Sequence, residues 1–178
     1  MSTETFEFTP IFKAGAAEET RDEACEVLFD ERVRLFRFDA PSSEWKERGT
    51  GNMKVLHDKE TDDYYVVQRR DVTFKLSAYF FCDPAMELKT HGGSDKAYTF
   101  TAYDYSYDDN KQQGEAHVLA AMFKTAEIAT AFQTAFEKGQ EAMKLRTESK
   151  EETKEEKEEV ETLAAAVEEL DTKEEKDE

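Results

Sequence analysis

The chain has 178 residues, enough for one domain of ordinary size with additional tails, and 37% of them are charged. Its net charge of −18 lies mostly at the two ends: residues 1–31 contribute −7 and residues 150–178 contribute −9, which leaves −2 for the middle. A nearly neutral domain between two acidic arms lacks the basic face of a nucleic-acid-binding protein and is repelled by anionic membranes. Acidic arms favour partners that carry basic surfaces.

The residue types used in catalysis do not occur here in catalytic patterns. The three histidines show no metal-ligand spacing, and no glycine-rich phosphate loop, nucleophile motif or pair of acids in a cleft is apparent. Cys25 and Cys82 stand far apart, and no apolar run approaches the roughly 20 residues of a membrane span. The sequence also begins without a signal-peptide pattern. These observations favour a binding module with reduced thiols, in the cytosol or nucleus, over an enzyme.

The first segment, residues 1–26, is polar and acidic. Its apolar residues give too little area for independent folding, so we expect an extended acidic arm. These residues are Phe6, Phe8, Ile11 and Phe12.

From Val27 onward, apolar and polar residues alternate with the period of two that is typical of β-strands. Turn-forming residues separate the alternating runs, which are rich in β-branched and aromatic types. The predicted strands cover residues 33–38, 53–56, 64–70, 74–80, 86–89, 97–103 and 117–123. Seven short strands in about ninety residues predict an antiparallel sandwich or barrel.

After the last strand the apolar period changes to 3.6 residues. This period predicts an amphipathic helix that begins after Thr125, as its N-cap, and ends at about Arg146. Its apolar stripe consists of Ile128, Phe132, Ala135, Phe136, Gly139 and Met143. An antiparallel barrel closed by one C-terminal helix is the architecture of pleckstrin-homology-like domains. We therefore predict a mostly β domain over residues 27–146, with acidic arms at both ends.

Residues 45–51 (WKERGTG) contain the only tryptophan of the chain, together with two cations, one carboxylate and two glycines. Because glycine readily adopts positive φ, we expect Gly49 and Gly51 to form a tight turn at the end of a strand. Trp45 beside two cations suits a binding edge, where the ring packs on a partner and the cations reach carboxylates. The alternative is that Trp45 anchors a corner of the core.

The C-terminal segment, residues 147–178, consists mostly of Glu and Lys, and the run at residues 151–159 predicts solvated coil or frayed helix. Within the segment, apolar residues at steps of three and four would lie on one helical face. They are Val160, Leu163, Ala164, Val167 and Leu170. Residues 160–170 are therefore either a marginal helix in an acidic tail or a helix that docks in the groove of a transport receptor.

From about Phe6 to Phe136, several stretches resemble in the same order the sequence pattern of the Ran-binding domain family. The most specific of these stretches is the one around Trp45. The matching stretches are residues 35–38, 44–51 with 54–56, 69–71 (RRD), 86–89 (MELK) and 93–97 (GSDKA).

Four positions depart from the pattern of this family. Thr90 and His91 stand where the family usually has Pro and Asn, and Lys96 and Tyr98 stand where it has Arg and Trp. Since lysine lacks the bidentate donor geometry of arginine, the resemblance gives no specific contact at Lys96.

The resemblance implies a pleckstrin-homology-like domain that binds the small GTPase Ran in its GTP form and takes hold of Ran's acidic C-terminal tail. It implies that the chain assists the Ran GTPase-activating protein and helps to disassemble complexes with nuclear export and import receptors. The implied location is cytoplasmic, with shuttling through the nucleus. No cofactor is implied, because the GTP belongs to Ran.

The residues that we expect to bind Ran are Arg34, Trp45, Lys46, Glu47, Arg48, Gly49, Lys54, Arg69 and Arg70. An acidic tail requires cations on the domain, and these strands supply them. The family also carries a nuclear export signal near its C-terminus. Its position here is occupied by the segment with Val160, Leu163, Val167 and Leu170.

Two other functions remain open from the residues alone. A pleckstrin-homology-like adaptor would bind a peptide in a groove between the helix and a sheet edge, irrespective of the nucleotide on Ran. An acidic chaperone of the histone type would use only the arms and would tolerate the loss of Trp45.

Overall fold

The computed structural model describes residues 22–106 and 114–174, and the side chains of Glu152 and of residues 167–174 lie outside this description. Over the described residues, seven antiparallel strands form one sheet in the order β4-β3-β2-β1-β7-β6-β5, and a helix follows. The elements are β1 (Glu26–Asp39), β2 (Glu44–Asp58), β3 (Asp63–Arg69), β4 (Leu76–Phe81), β5 (Lys89–Thr90), β6 (Ala97–Asp104), β7 (Glu115–Phe123) and α1 (Ala126–Glu174). The predicted mostly β architecture, with seven antiparallel strands followed by a C-terminal helix, is confirmed.

The main core lies between the inner face of the sheet and α1. In β1, Val33 and Leu35 are buried while Arg34 between them is exposed, which is the alternation of a strand with one buried face. The helix contributes Phe132 and Phe136 to the same cluster. Burial of each such side chain stabilises the fold by about 1.5–3 kcal/mol.

A smaller apolar cluster lies apart from the main core. Leu56, Tyr65 and Val67 form it, and Cys25 packs against it. The Tyr65 hydroxyl donates a hydrogen bond to the carboxylate of Asp22 at 3.0 Å, and burial raises the pKa of Tyr65 so that the phenol stays protonated. Asp22, four residues before the predicted end of the arm at residue 26, is thus packed on the domain.

The sheet bends until its β4 edge meets the end of β6. The Tyr105 amide donates to the Tyr79 carbonyl at 2.8 Å, and the Tyr79 amide donates to the Asp104 carboxylate at 3.0 Å. Asp104 is fully buried at this junction. These bonds give the sheet the partly closed, barrel-like form that the strand pattern predicts.

Helix α1 begins where the sequence predicts. The Thr125 hydroxyl accepts a hydrogen bond from the Ile128 amide at 3.2 Å, as an N-cap residue does. Further along, Gln140 donates to two loop carbonyls, and Arg146 pairs with Asp63 at 2.8 Å. The apolar stripe of the predicted helix therefore packs on the sheet over its whole length.

The predicted end of this helix at Arg146 is wrong, because α1 continues to Glu174. No Gly or Pro occurs after Gly139, and Glu, Lys and Ala are strong helix formers. Of the two forms predicted for residues 151–159, solvated coil or frayed helix, the structure shows a helix. The described side chains between residues 147 and 166 are all exposed, so this part of the helix is surrounded by solvent.

Several strand boundaries also differ from the prediction. β2 begins at Glu44 instead of residue 53, β1 begins at Glu26 instead of residue 33, β5 comprises only Lys89–Thr90, and β4 begins at Leu76 instead of residue 74. The first difference arises because the side chains of residues 44–47 are exposed and polar or aromatic, so this part of the strand shows no apolar alternation.

The part of the chain that the structure describes contains no helix with the length and apolar content needed to cross a bilayer.

Candidate functional site

Residues 45–51 do not form a turn. They lie inside β2, and the positive-φ glycines among the described residues are Gly92 and Gly93. The chain reverses earlier, at residues 40–43, where Ser43 has a φ of 54°. The predicted turn at Gly49 and Gly51 is therefore wrong, because these glycines serve close packing and not left-handed backbone.

The two glycines let β2 approach Arg69 and Arg70, at the end of β3. A Cβ at Gly49 would lie 2.6 Å from the Ser77 Cβ and 3.0 Å from the Arg70 Cγ. A Cβ at Gly51 would collide with the carbonyl oxygen of Arg69. The Cβ contacts with Ser77 and with the Arg69 carbonyl oxygen would be shorter than real Cβ contacts allow. The WKERGTG and RRD stretches are therefore closely packed on each other.

A β-bulge at Arg48 re-aims the side chains of β2. In the β1–β2 register, Leu35 pairs with Gly49 and Phe36 pairs with Glu47, so Arg48 is the extra residue. Without the bulge, Glu47 and Thr50 would lie on opposite faces of the sheet. With it, the Thr50 hydroxyl donates to the Glu47 carboxylate at 2.6 Å.

Arg34 completes a polar group on the outer face of β1 and β2. Its Nη2 lies 3.4 Å from the Glu47 Oε2, and its guanidinium carbon lies 5.2 Å from the centre of the Phe36 ring. The hydrogen bond from Thr50, followed by the charge of Arg34, lowers the pKa of Glu47. Glu47 therefore holds Arg34 over the Phe36 ring, while the Arg34 side chain remains 56% exposed.

Trp45 lies at the edge of the sheet and not in the core. Its side chain is 37% exposed, and its ring packs between Phe38 at 5.3 Å and His91 at 5.0 Å. Next to it, the Lys46 ammonium donates to the Asp39 carboxylate at 3.0 Å. Hydrogen bonds from Ser42 and then Lys46 lower the pKa of Asp39. The edge position agrees with the binding alternative for Trp45.

The other expected arginines make contacts within the domain. The Arg69 side chain is only 17% exposed, where it lies 3.5 Å from Asp22 and donates to the Phe74 carbonyl at 3.4 Å. Arg70 Nε donates to the Arg48 carbonyl at 3.0 Å. These contacts give the arginines a structural role in joining β2, β3 and the turn after β3.

The structure thus brings together part of the expected set. Arg34 and Glu47 are in contact, Lys54 lies four residues beyond Thr50 on the same strand face, and Lys46 lies apart at the hairpin end. Residues beyond the expected set complete the surface: Phe36, Arg32 with Asp71, Val72 and Phe74. Arg32 is two residues before Arg34 on the same strand, and alternate residues of a strand share a face. This spacing could have identified Arg32 as a residue of the surface.

The candidate export segment lies in the solvent-exposed part of α1. Val160 and Leu163 are 66% and 62% exposed. The backbones of Val167 and Leu170 belong to α1, and their side chains lie outside the described residues.

The described residues contain no group of three or more His, Cys, Asp or Glu side chains arranged to hold a metal ion. Cys82 is fully buried, and burial raises the pKa of its thiol far above the usual range. The exposed chemistry of the surface is therefore that of cations, carboxylates and aromatic rings.

Comparison with known proteins agrees with this geometry. Residues 18–142 match the model of the RanBP1 domain. The chain is 38% identical over 147 residues to a Ran-specific GTPase-activating protein homolog of Dictyostelium discoideum, with 80% of this chain and 76% of that protein covered. It is 41% identical over 121 residues to human E3 SUMO-protein ligase RanBP2, where the match spans 68% of this chain and only 4% of the ligase.

A solved structure shows the same fold. The Ran-binding domain from the nuclear complex component Nup2 of Ashbya gossypii superposes with a TM-score of 0.56 at 18% identity, and the match covers 67% of this chain and 97% of that domain. With the family model covering most of the sequence, the chain belongs to the RanBP1 domain family.

Proposed function

We propose that this chain binds the GTP form of Ran and holds Ran's acidic C-terminal tail. The observation that carries the proposal is the exposed arrangement of Trp45 and Glu47, inside the stretch that resembles the family most closely, beside Arg34 on the neighbouring strand β1. The names of the relatives point to the same GTPase.

The surface has the chemistry that such a partner requires. Arg34 and Lys46 have side chains 56% and 55% exposed, so both cations are open to incoming carboxylates. Each charge-assisted hydrogen bond contributes about 1.5–3 kcal/mol where water is excluded. Trp45 is an apolar anchor beside them, and residues of this type dominate many interfaces.

The function that follows is that of an accessory protein. With the tail held on this domain and away from the GTPase body, the Ran GTPase-activating protein gains access, and transport receptors are released from Ran. The GTP that is hydrolysed belongs to Ran, so this chain contributes binding surface and no cofactor.

Substitutions in the exposed group test the proposal. We expect Trp45→Ala to weaken binding to Ran loaded with a GTP analogue by about thirtyfold or more, as the loss of an interface anchor does. Arg34→Glu places a carboxylate where the cation was. It should weaken binding, and the loss of affinity should be larger when Ran carries its acidic tail. Leu145→Gln, an exposed apolar position on α1, is the matched control. Unchanged affinity in both site variants would refute the proposal.

The adaptor alternative has one observation in its favour. A shallow groove runs along α1 and is lined by Leu28, Ala131 and Ala135 among others. An adaptor that uses this groove would bind its peptide equally well whether Ran carries GTP or GDP, and would be weakened by Ala131→Lys instead of Trp45→Ala.

We further propose that the chain resides in the cytoplasm and is exported from the nucleus through residues 160–170. The exposure of Val160 and Leu163 leaves their face of the helix open to a receptor groove. Replacing both Leu163 and Leu170 by Ala should shift a tagged protein into the nucleus. An unchanged cytoplasmic distribution would assign export to another segment.

A further inference from the structure

His91 lies against the indole of Trp45, although the two residues belong to different parts of the sheet. Trp45 is in β2, whereas His91 directly follows β5, and the strands β1, β7 and β6 stand between them in the strand order. The centres of the two rings are 5.0 Å apart, and the ring planes are perpendicular. Phe38 in β1 supports the same indole at 5.3 Å. The indole therefore reaches across β1 toward the β5 edge instead of pointing into solvent.

The outer face of the sheet is closely packed next to this contact. Ala120 in β7 lies in register between Phe36 of β1 and Thr99 of β6. Its chain neighbours Leu119 and Ala121 belong to the main core, so Ala120 faces the other side of the sheet. Ala120 is nevertheless only 1% exposed. Side chains of the outer face therefore cover it, and packing on this face extends from β1 to β6.

The imidazole of His91 is itself held in place. Its Nδ1 lies 2.6 Å from the Thr99 Oγ1, within hydrogen-bond distance. The His91 amide donates to the Ala97 carbonyl at 2.9 Å, and the Ser94 amide donates to the His91 carbonyl at 3.0 Å. A side chain whose ring and backbone are both hydrogen-bonded is a fixed surface for its neighbour. The indole of Trp45 therefore packs on a support that has one orientation.

We propose that His91 is a positioning residue, which holds the Trp45 indole in the orientation that contacts Ran. The inference rests on the proposed function, in which Trp45 is the apolar anchor. Because the indole is already immobilised in the free chain, binding does not have to order it, and the affinity is higher. The family pattern usually has Asn at the position of His91, so the contact between the two rings is a feature of this chain.

Protonation of the imidazole gives a signal that reports this contact. Trp45 is the only tryptophan of the chain, so the tryptophan emission comes from this residue alone. An imidazole ordinarily takes up its proton between about pH 7 and pH 6, and the positive charge then lies beside the indole, where it changes the emission. Residues 44–46 and 89–99 contain both rings and Thr99, and their other charged side chains belong to types that titrate well outside this range. These are Glu44, Lys46, Lys89, Asp95 and Lys96.

Two substitutions of His91 in the full chain test the proposal. His91→Ala removes the ring, whereas His91→Phe keeps an aromatic contact that cannot be protonated. The matched control is His57→Phe, because His57 also stacks on a ring, that of Tyr64 at 4.1 Å, near the other end of β2. We expect the emission of the unsubstituted chain and of the control to change between about pH 7.5 and pH 5.5, and that of both His91 variants to stay constant. Unfolding midpoints show whether each variant folds.

The affinity for Ran loaded with a GTP analogue shows whether the contact serves binding. We expect His91→Ala to bind about three- to tenfold more weakly than the unsubstituted chain, and His91→Phe and His57→Phe within about twofold of it. In a Trp45→Ala background, His91→Ala should change the affinity by less than about twofold, because His91 acts through the indole.

Unchanged affinity in His91→Ala, or an equal loss in His91→Phe, would overturn the assignment. A further loss in the Trp45→Ala background would mean that His91 contacts Ran itself, and would overturn the positioning role. An emission change that persists in His91→Ala would show that another group is responsible, and would overturn the contact. Failure of the unsubstituted chain to bind Ran with the GTP analogue would instead refute the proposed function, and with it the role of His91.

Discussion

Gly51 has no side chain, and this lets the backbone of Arg69 approach the backbone of β2 closely. Because the obstacle to a Cβ is a backbone carbonyl, it cannot rotate away as a flexible side chain would. We expect Gly51→Ala to lower the free energy of unfolding by about 1–3 kcal/mol, as overpacking does. Denaturant titration measures this, with an exposed residue of the same strand as control: Glu44→Ala should stay within about 0.5 kcal/mol. Equal midpoints for both variants would contradict the close packing.

Glu47 gives a pH-dependent signature of the outer-face group. Its pKa in the folded state lies below the ordinary value of 4.5, so its stabilising contribution is present above that value and is lost as pH falls through the folded pKa. We expect Thr50→Val to raise the pKa of Glu47, because the hydroxyl is the largest cause of the shift. NMR titration of the carboxyl resonance measures this directly. An identical pKa in Thr50→Val and the unsubstituted chain would show that the hydrogen bond does not hold Glu47.

The ion pair between Arg69 and Asp22 tests whether Arg69, one of the residues expected to bind Ran, stabilises the fold instead. Their side chains are 17% and 11% exposed, so removal of one partner leaves a poorly solvated charge. We expect Arg69→Gln and Asp22→Asn to be non-additive, with a coupling of about 0.5–3 kcal/mol in a double-mutant cycle of unfolding free energies. If the changes in unfolding free energy are strictly additive, the ion pair does not contribute to stability. Arg69 would then be available to bind a partner.

Single residues were predicted best where the side chain alone carries the information. The cap at Thr125 follows from residue type and neighbours, whereas the residues around Trp45 left open whether its ring lies at an exposed edge or in the core. The structural role of Arg69 did not follow from residue type, because Asp22 lies 47 positions away in sequence and only the fold brings the two together. The same holds for the glycines, whose close contacts depend on β3 and β4.

The strands, too, were predicted well where burial is visible in the sequence and poorly where it is not. A strand with one buried face, such as β6, was predicted to within one residue of its bounds, because burial imposes a visible alternation. The beginning of β2 was missed because its outward residues are polar and because a bulge interrupts the period at Arg48. A bulge shows no residue pattern of its own in this sequence, yet it places Glu47 beside Thr50.

Helix α1 divides into a packed part and a solvated part. Arg146 donates to the carbonyls of Thr61 and Asp62 and pairs with Asp63, whereas the described side chains from residue 147 to residue 166 are exposed. We expect truncation after residue 146 to leave the unfolding temperature within about 2 °C, since exposed residues contribute little. Truncation after residue 142 removes Met143 and Arg146 and should lower it by several degrees, about 2–4 °C per kcal/mol lost. Differential scanning calorimetry of both proteins measures this; a large loss from the first truncation would extend the domain beyond residue 146.

For the whole molecule, charge is distributed so that the exposed edge around Trp45 lies on a nearly neutral domain with acidic ends. The acidic ends repel the acidic tail of a partner and attract basic surfaces of the same partner. Under the proposed function, we expect this charge distribution to orient the basic surfaces of Ran toward the acidic ends of the chain. Composition alone predicts the charge asymmetry, but only the folded sheet shows that Arg34, Glu47 and Thr50 lie together.

The most direct test of this account is a calorimetric titration of the unsubstituted chain with Ran carrying a GTP analogue, Ran carrying GDP, and GTP-analogue Ran without its acidic tail. The account predicts tight binding to the first, much weaker binding to the second, and intermediate affinity for the third. Equal affinity for all three forms would contradict it, and the RanBP1 domain of this chain would then serve a partner other than active Ran.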